Sequence, residues 1–236
     1  MKTYIRRREK NTKLLVLFAG WACDENLFIP LFTDEYDYIL FYRYSADEAL
    51  VLPEMKKYSE IILIGWSLGV WAAEYMSQKT GIHPDLTIAV NGTPFPADDK
   101  YGIPLHIFEG TLNNITEENM NKFYFRMFGD KKTNELNKEM IPGRTLKSLH
   151  DELRWLYNRM MEHSNKGFRW DYAVTSEIDR VFPAENMNNY WAKEKQTRHI
   201  ILPVPHYFFH DWKSFTEFVD FVRSYRKKKR TRSGGV

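Results

Sequence analysis

The chain has 236 residues, 43% hydrophobic and 16% aromatic, enough apolar material for one globular unit with a substantial core and too much for a disordered chain. Its net charge of +3 is uneven: seven Lys and Arg fall between residues 223 and 232, where no acid occurs, so the rest is slightly acidic and lacks the cationic folded face that nucleic-acid binding needs. The single cysteine, Cys23, excludes an internal disulfide, the start MKTYIRRREK is charged where a signal peptide needs an apolar core, and no apolar run approaches the roughly 20 residues of a membrane span.

These features predict a soluble cytoplasmic protein with neither a nucleic-acid nor a membrane partner. Along the chain, KTYIRRR reads as an edge strand, KLLVLFAGW (13–21), YDYILFYRY (36–44) and EIILIGW (60–66) as buried strands. SLGVWAAEYMSQKTG then spaces Leu68, Trp71, Ala72, Tyr75 and Met76 as a helix does, with Gly81 as its stop, and DLTIAVNGTPF (85–95) is another strand. From about 110 to 170 the composition is helical and holds five of the nine methionines, which predicts a helical cap inserted into the domain. Strand character resumes at DYAVTSEID (171–179) and RHIILPVPH (198–206), an amphipathic helix DWKSFTEFVDFVRSY follows, and a disordered basic tail is expected from about 227 to 236. Continuously apolar strands separated by helices predict an α/β fold, one domain with a mostly parallel sheet and helices on both faces.

The chemistry sits in Gly65-Trp66-Ser67-Leu68-Gly69. A buried strand before the serine and a helix after it are the setting in which a sharp turn lifts the hydroxyl clear of the sheet, and small residues at Gly65 and Gly69 relieve crowding at that turn. A serine hydroxyl is a weak nucleophile without a base, so a carboxylate and then a histidine are expected on later strand ends. Of the seven histidines, His206 alone follows directly on an apolar run, and Pro205 fixes the chain direction there. His210 reads as a surface or capping residue, and His83, His106, His150, His163 and His199 as turn, insertion or strand-start residues. Asp179 is the preferred acid, with Glu177 and Asp171 as competitors. Two backbone amides should face the developing oxyanion: that of Leu68, and that of Trp21 after the first buried strand, where Gly20 allows close approach. The plainer account of Gly20-Trp21 is a turn with a packed aromatic.

FAGWACDENLF, GWSLG, SEIDRVFPAENMNNYW and PHYFFHDW carry a resemblance. Over nearly its whole length the chain resembles an α/β-hydrolase, and more narrowly the BioG and BioH types of esterase that act on pimeloyl-acyl-carrier-protein methyl ester in biotin synthesis. The wider fold often has His-Gly before the oxyanion residue, where this chain has Ala19-Gly20-Trp21, and the short length is closer to the BioG type. The resemblance implies Ser67 as nucleophile, His206 as base, Asp179 as its orienting acid, and Trp21 and Leu68 as oxyanion donors, with no cofactor and no metal. It further implies an apolar slot for a seven-carbon acyl chain, for which Trp21, Trp66, Phe123, Met127 and Phe128 are candidates. An acidic carrier protein would dock on a basic rim, with Lys122, Arg126, Lys131, Lys132, Arg154 and Arg159 as candidates; a solvated mixed-charge helix surface is the plainer account of these. The enzyme is expected to be a monomer. Competing readings are a thioesterase or acyltransferase using the same three residues, and a degenerate hydrolase fold that only binds.

Overall fold

Four buried apolar runs form the centre of a seven-stranded sheet. The computed structural model describes residues 1–45, 52, 54–163 and 168–225; the expected basic tail lies outside them. The strands are β1 (Lys2–Arg6), β2 (Lys13–Phe18), β3 (Asp37–Tyr42), β4 (Glu60–Trp66), β5 (Leu86–Val90), β6 (Tyr172–Ser176) and β7 (Arg198–Leu202), in the order β1-β3-β2-β4-β5-β6-β7. β1 runs antiparallel to β3, and every other pair is parallel. Successive residues of β3 and β5 are all buried, which requires cover on both faces of the sheet. β1 is largely exposed and carries Lys2 and Arg6, charges that discourage edge-to-edge pairing.

Helix α1 (Leu68–Thr80) follows β4, α2 (Leu105–Asn113), α3 (Glu117–Phe128), α4 (Lys131–Leu136) and α5 (Leu146–Glu162) lie between β5 and β6, α6 (Ala184–Trp191) joins β6 to β7, and α7 (Phe215–Ser224) comes last. Side-chain oxygens of Thr116, Asp130, Thr145 and Ser214 accept amide hydrogens in the first turns of α3, α4, α5 and α7. Several boundaries differ from the sequence reading. β5 stops at Val90 because Asn91 takes a positive φ of 45° and turns the chain out of the sheet. β6 stops at Ser176, so Asp179 lies in the following turn rather than closing the strand. The helices after β5 begin at Leu105, ahead of 110, and α6, with Met187 and Trp191 buried four apart, has no counterpart in the reading. Among the described residues no helix is long and apolar enough to cross a membrane.

Strand order places the site. The chain leaves β2 to one side for β3 and returns on the other side for β4, and a crevice opens above the carboxyl ends of two strands where the order reverses in this way. Phe18 pairs with Gly65 there, which sets Gly20-Trp21 next to Ser67.

Behind that crevice α1 carries an ionisable group inside the core. Glu74 is buried and accepts a hydrogen bond from Trp170 Nε1 at 2.7 Å. Burial pushes its carboxyl up to about 8, an effect that the Trp170 bond opposes and Glu194 reinforces. Since this lies above the unfolded carboxyl's value, the folded state holds the extra proton in between, and stability falls as pH rises towards 8. At 1.36 kcal/mol per unit the loss reaches up to roughly 5 kcal/mol. Glu74→Gln keeps the acceptor for Trp170 and should flatten this slope, so that the variant outlasts the parent at pH 9 and matches it near pH 5. Urea unfolding at the two pH values checks this; parallel profiles for the two proteins would contradict it.

Candidate active site

Ser67 sits at φ 58°, ψ −128°, between the last residue of β4 and the first of α1. A non-glycine residue at positive φ is strained, and here the strain is held by neighbours. The Ser67 N–H donates to Val90 O at 2.8 Å, and the Val70 N–H donates to Ser67 O at 3.0 Å. The turn tolerates no extra atoms. A Cβ on Gly69 would lie 2.0 Å from Phe18 O, and one on Gly92 would lie 2.3 Å from Ser67 O. Ser67 also faces the positive end of α1.

His206 and Asp179 reach the same place from later loops. His206 Nδ1 donates to Asp179 Oδ2 at 2.6 Å, and both side chains are buried, 1% and 0% exposed. Asp179 Oδ1 meanwhile accepts the Val181 and Phe182 N–H groups, each at 2.8 Å, so the turn after β6 is folded around its own carboxylate. With Nδ1 engaged, Nε2 is the imidazole nitrogen left to accept a proton. Ser67 and His206 line one cavity, although no hydrogen bond joins their side chains among the described residues. The competitors lie elsewhere: Glu177 is exposed, and Asp171 accepts from Thr87 N and Oγ1 at the opposite end of β6.

Sequence reasoning missed what fixes His206. Its carbonyl accepts Asn91 Nδ2 at 2.7 Å and Trp66 Nε1 at 3.1 Å. Asn91 Nδ2 also donates to Ser176 Oγ at 2.7 Å, and its Oδ1 accepts the Ser176 N–H at 2.8 Å, joining β5, β6 and the histidine loop. Trp66 is therefore both a clamp and a wall, its ring 5.2 Å from that of His206. An asparagine ending an apolar strand was the available signal for Asn91.

The backbone N–H groups of Trp21 and Leu68 have no hydrogen-bond acceptor among the described residues, which leaves both free to receive a negative oxygen. A Cβ on Gly20 would lie 2.9 Å from Ser67 Cβ and 3.3 Å from its Oγ, so only glycine lets this loop come so close. The Trp21 indole donates to Leu149 O of α5 at 2.9 Å and packs edge-on against Phe123 of α3 at 4.9 Å.

A cavity of about 300 Å³ opens over Ser67, with mainly apolar walls. Trp21, Trp66, Phe123 and Met127 line it, as the sequence suggests. Phe128 does not: it is fully buried and packs against Tyr207 at 5.5 Å, about 100° further round α3 from Met127 and off the face that carries Phe123, Arg126 and Met127 to the cavity. The remaining walls come from Ile103, Ile107, Phe108 and Thr111 around α2, Leu153 of α5, and Val181 and Pro183 beside Asp179. Phe108 and Leu112, four apart after Pro104, were the signal for α2. The basic candidates divide. Arg126 lines both the cavity and an outer groove along α2, α3 and α4, and Lys122, paired with Glu118 at 2.6 Å, lines the groove alone. Arg154 donates to His150 at 2.8 Å and Arg159 to Glu162 at 2.7 Å, and neither lines cavity or groove. Lys131, 3.9 Å from Glu135, and Lys132 do not line them either.

Residues 1–218 match the family described as "Pimeloyl-ACP methyl esterase BioG". The chain belongs to the BioG family. The crystal structure of BioG from Haemophilus influenzae is similar, with 32% identity and a TM-score of 0.82 over 92% of this chain and 98% of that one. A Bacteroides fragilis protein described as malonyl-[acyl-carrier protein] O-methyltransferase is 38% identical over 180 residues, which make up 76% of this BioG-family chain but 36% of the other protein. The chain thus spans about a third of that relative's length. An esterase from Exiguobacterium antarcticum, 17% identical with a TM-score of 0.70 over 94% of this chain and 96% of that one, shares the α/β-hydrolase fold.

Proposed function

We propose that this BioG-family chain is a serine carboxylesterase that hydrolyses the methyl ester of pimeloyl-acyl-carrier protein, freeing the pimeloyl carboxylate for biotin synthesis. The observation that carries this is the buried Asp179–His206 hydrogen bond on the wall of the cavity that holds strained Ser67. In this reading Ser67 Oγ attacks the ester carbonyl as its proton passes to His206 Nε2. The oxyanion is met by the Trp21 and Leu68 amides, and Asp179 stabilises the imidazolium. Collapse of the adduct expels methanol, which takes the proton from His206. Water then attacks the acyl-enzyme, again through His206, releasing the carboxylate and restoring the serine hydroxyl.

Helices α2 to α5 act as a cap whose apolar inner face takes the acyl chain. The outer groove shares Ile107, Thr111, Phe123 and Arg126 with the cavity, a route from surface to serine suited to a substrate tethered to a carrier. With Lys122 paired to Glu118 in the same groove, Arg126 is the cation on that route that favours an acidic partner over an unattached neutral ester. No cofactor enters the scheme.

A fluorophosphonate should label the protein at one site and lose that label in Ser67→Ala, with ester hydrolysis falling at least about 10³-fold. Undiminished labelling of the variant would remove Ser67 from the mechanism. Analysis of the products from pimeloyl-carrier methyl ester separates the thioesterase alternative: methanol with the carrier still acylated supports the ester reading, and a free carrier thiol supports the other.

A further inference from the structure

The loop that presents the Trp21 amide is held by the cap rather than by the sheet alone. Ala22 has a φ of 64°, a conformation that non-glycine residues keep only where surroundings impose it. Tyr124 of α3 donates its hydroxyl to Ala22 O at 3.1 Å, and the Trp21 indole donates to Leu149 O of α5. On the same buried face of α5 stands Glu152, with Arg144 as its ion partner; their side chains are 2% and 1% exposed. Glu152 Oε1 accepts the Tyr44 N–H at 3.0 Å, and Tyr44 in turn donates its hydroxyl to Ala19 O at 2.7 Å; burial raises the Glu152 carboxyl's pKa, an effect that Arg144 and the Tyr44 and Ala22 N–H groups oppose. Arg144 is itself fastened to Ser148 O at 3.1 Å and Oγ at 2.9 Å.

A buried ion pair is a poor source of stability, since apolar residues of similar volume often do as well or better. What this one supplies is a fixed acceptor, paired with Arg144, beside the backbone that turns Trp21 towards Ser67. We infer that Glu152, held by Arg144, is a positioning residue for the oxyanion side of the site, through which cap helix α5 sets the Trp21 amide. This rests on the esterase reading above.

The test compares the full chain with Glu152→Gln, which keeps an acceptor but loses the charge, and Glu152→Asp, which keeps the charge and the Arg144 partner but draws the carboxylate back by one methylene. Two readouts are taken on folded protein: kcat and KM for p-nitrophenyl acetate, and inhibition by a trifluoromethyl ketone, whose serine adduct places an anionic oxygen against the two amides. The inference predicts little change in KM, a fall in kcat of about 10-fold or more in both variants, part of the 10²–10³ that a whole oxyanion donor is worth, and ketone binding weakened by the same factor. A purely structural role would lower the melting temperature yet leave kcat and ketone affinity at parental values, and that result overturns it. If Glu152→Gln does not fold, the same two readouts on Glu152→Asp decide. Failure of the esterase reading would show instead in the parent protein, as no turnover and no ketone inhibition.

Discussion

Asp179→Asn is expected to lower kcat/KM by roughly 10²- to 10⁴-fold while the fold persists. The carboxylate has two tasks on two oxygens. Oδ1 accepts the Val181 and Phe182 amides, and Oδ2 accepts the His206 Nδ1 hydrogen. An asparagine can keep its carbonyl oxygen on the two amides and so preserve the turn. Its NH₂ then faces His206 Nδ1 as a donor, which favours the tautomer with hydrogen on Nε2. The nitrogen proposed to take the Ser67 proton is thereby occupied, and the imidazolium of the proposed mechanism loses its counter-charge. Steady-state kinetics with a thermal melt checks both halves: a large loss of kcat with a melting temperature near the parent's. A variant with parental kcat would exclude Asp179 from the reaction.

The second large effect concerns a residue with no side chain. In Gly69→Ala the new Cβ would fall 2.0 Å from Phe18 O and 2.6 Å from Ala19 O, both backbone atoms with no rotamer to retreat to. Either α1 or the end of β2 must move. Overpacking of this kind costs about 3 kcal/mol, and the displaced segment is the one that leads into Gly20-Trp21. Stability and kcat should therefore fall together, unlike in Asp179→Asn, where they separate. Urea denaturation and turnover of a simple ester measure the two; a variant as stable and active as the parent would show that the helix is not packed this tightly on the strand.

Much of the framework was legible because its signals are local. β2 and β4 announce themselves as unbroken apolar runs, and the glycines flanking Ser67 mark a turn where neighbouring backbones close in. The apolar run before His206 marks that histidine, and chain order leaves Asp179, Glu177 and Asp171 as acids, of which the fold joins Asp179 to His206 by a hydrogen bond. What stayed hidden depends on partners far along the chain. Asn91 reaches His206 across 115 positions, and Glu152 reaches Tyr44 across 108, distances over which periodicity carries no information. A trace of Glu152 was present even so, as an acid within the apolar stripe of Leu149, Leu153 and Leu156. The division between Met127 and Phe128 follows from helix geometry, but which of the two faces the serine depends on how α3 packs. Arg154 and Arg159 illustrate the same limit for charge: α5 turns both away from the cavity and the groove, and each meets a neighbour on its own helix.

Whether the protein cleaves the proposed ester is decided by incubating it, purified, with pimeloyl-acyl-carrier-protein methyl ester and resolving the carrier species by mass. Loss of the methyl group with the thioester intact is expected, at a rate that Ser67→Ala abolishes. An unchanged methyl ester, in a preparation that hydrolyses other esters briskly, would contradict it.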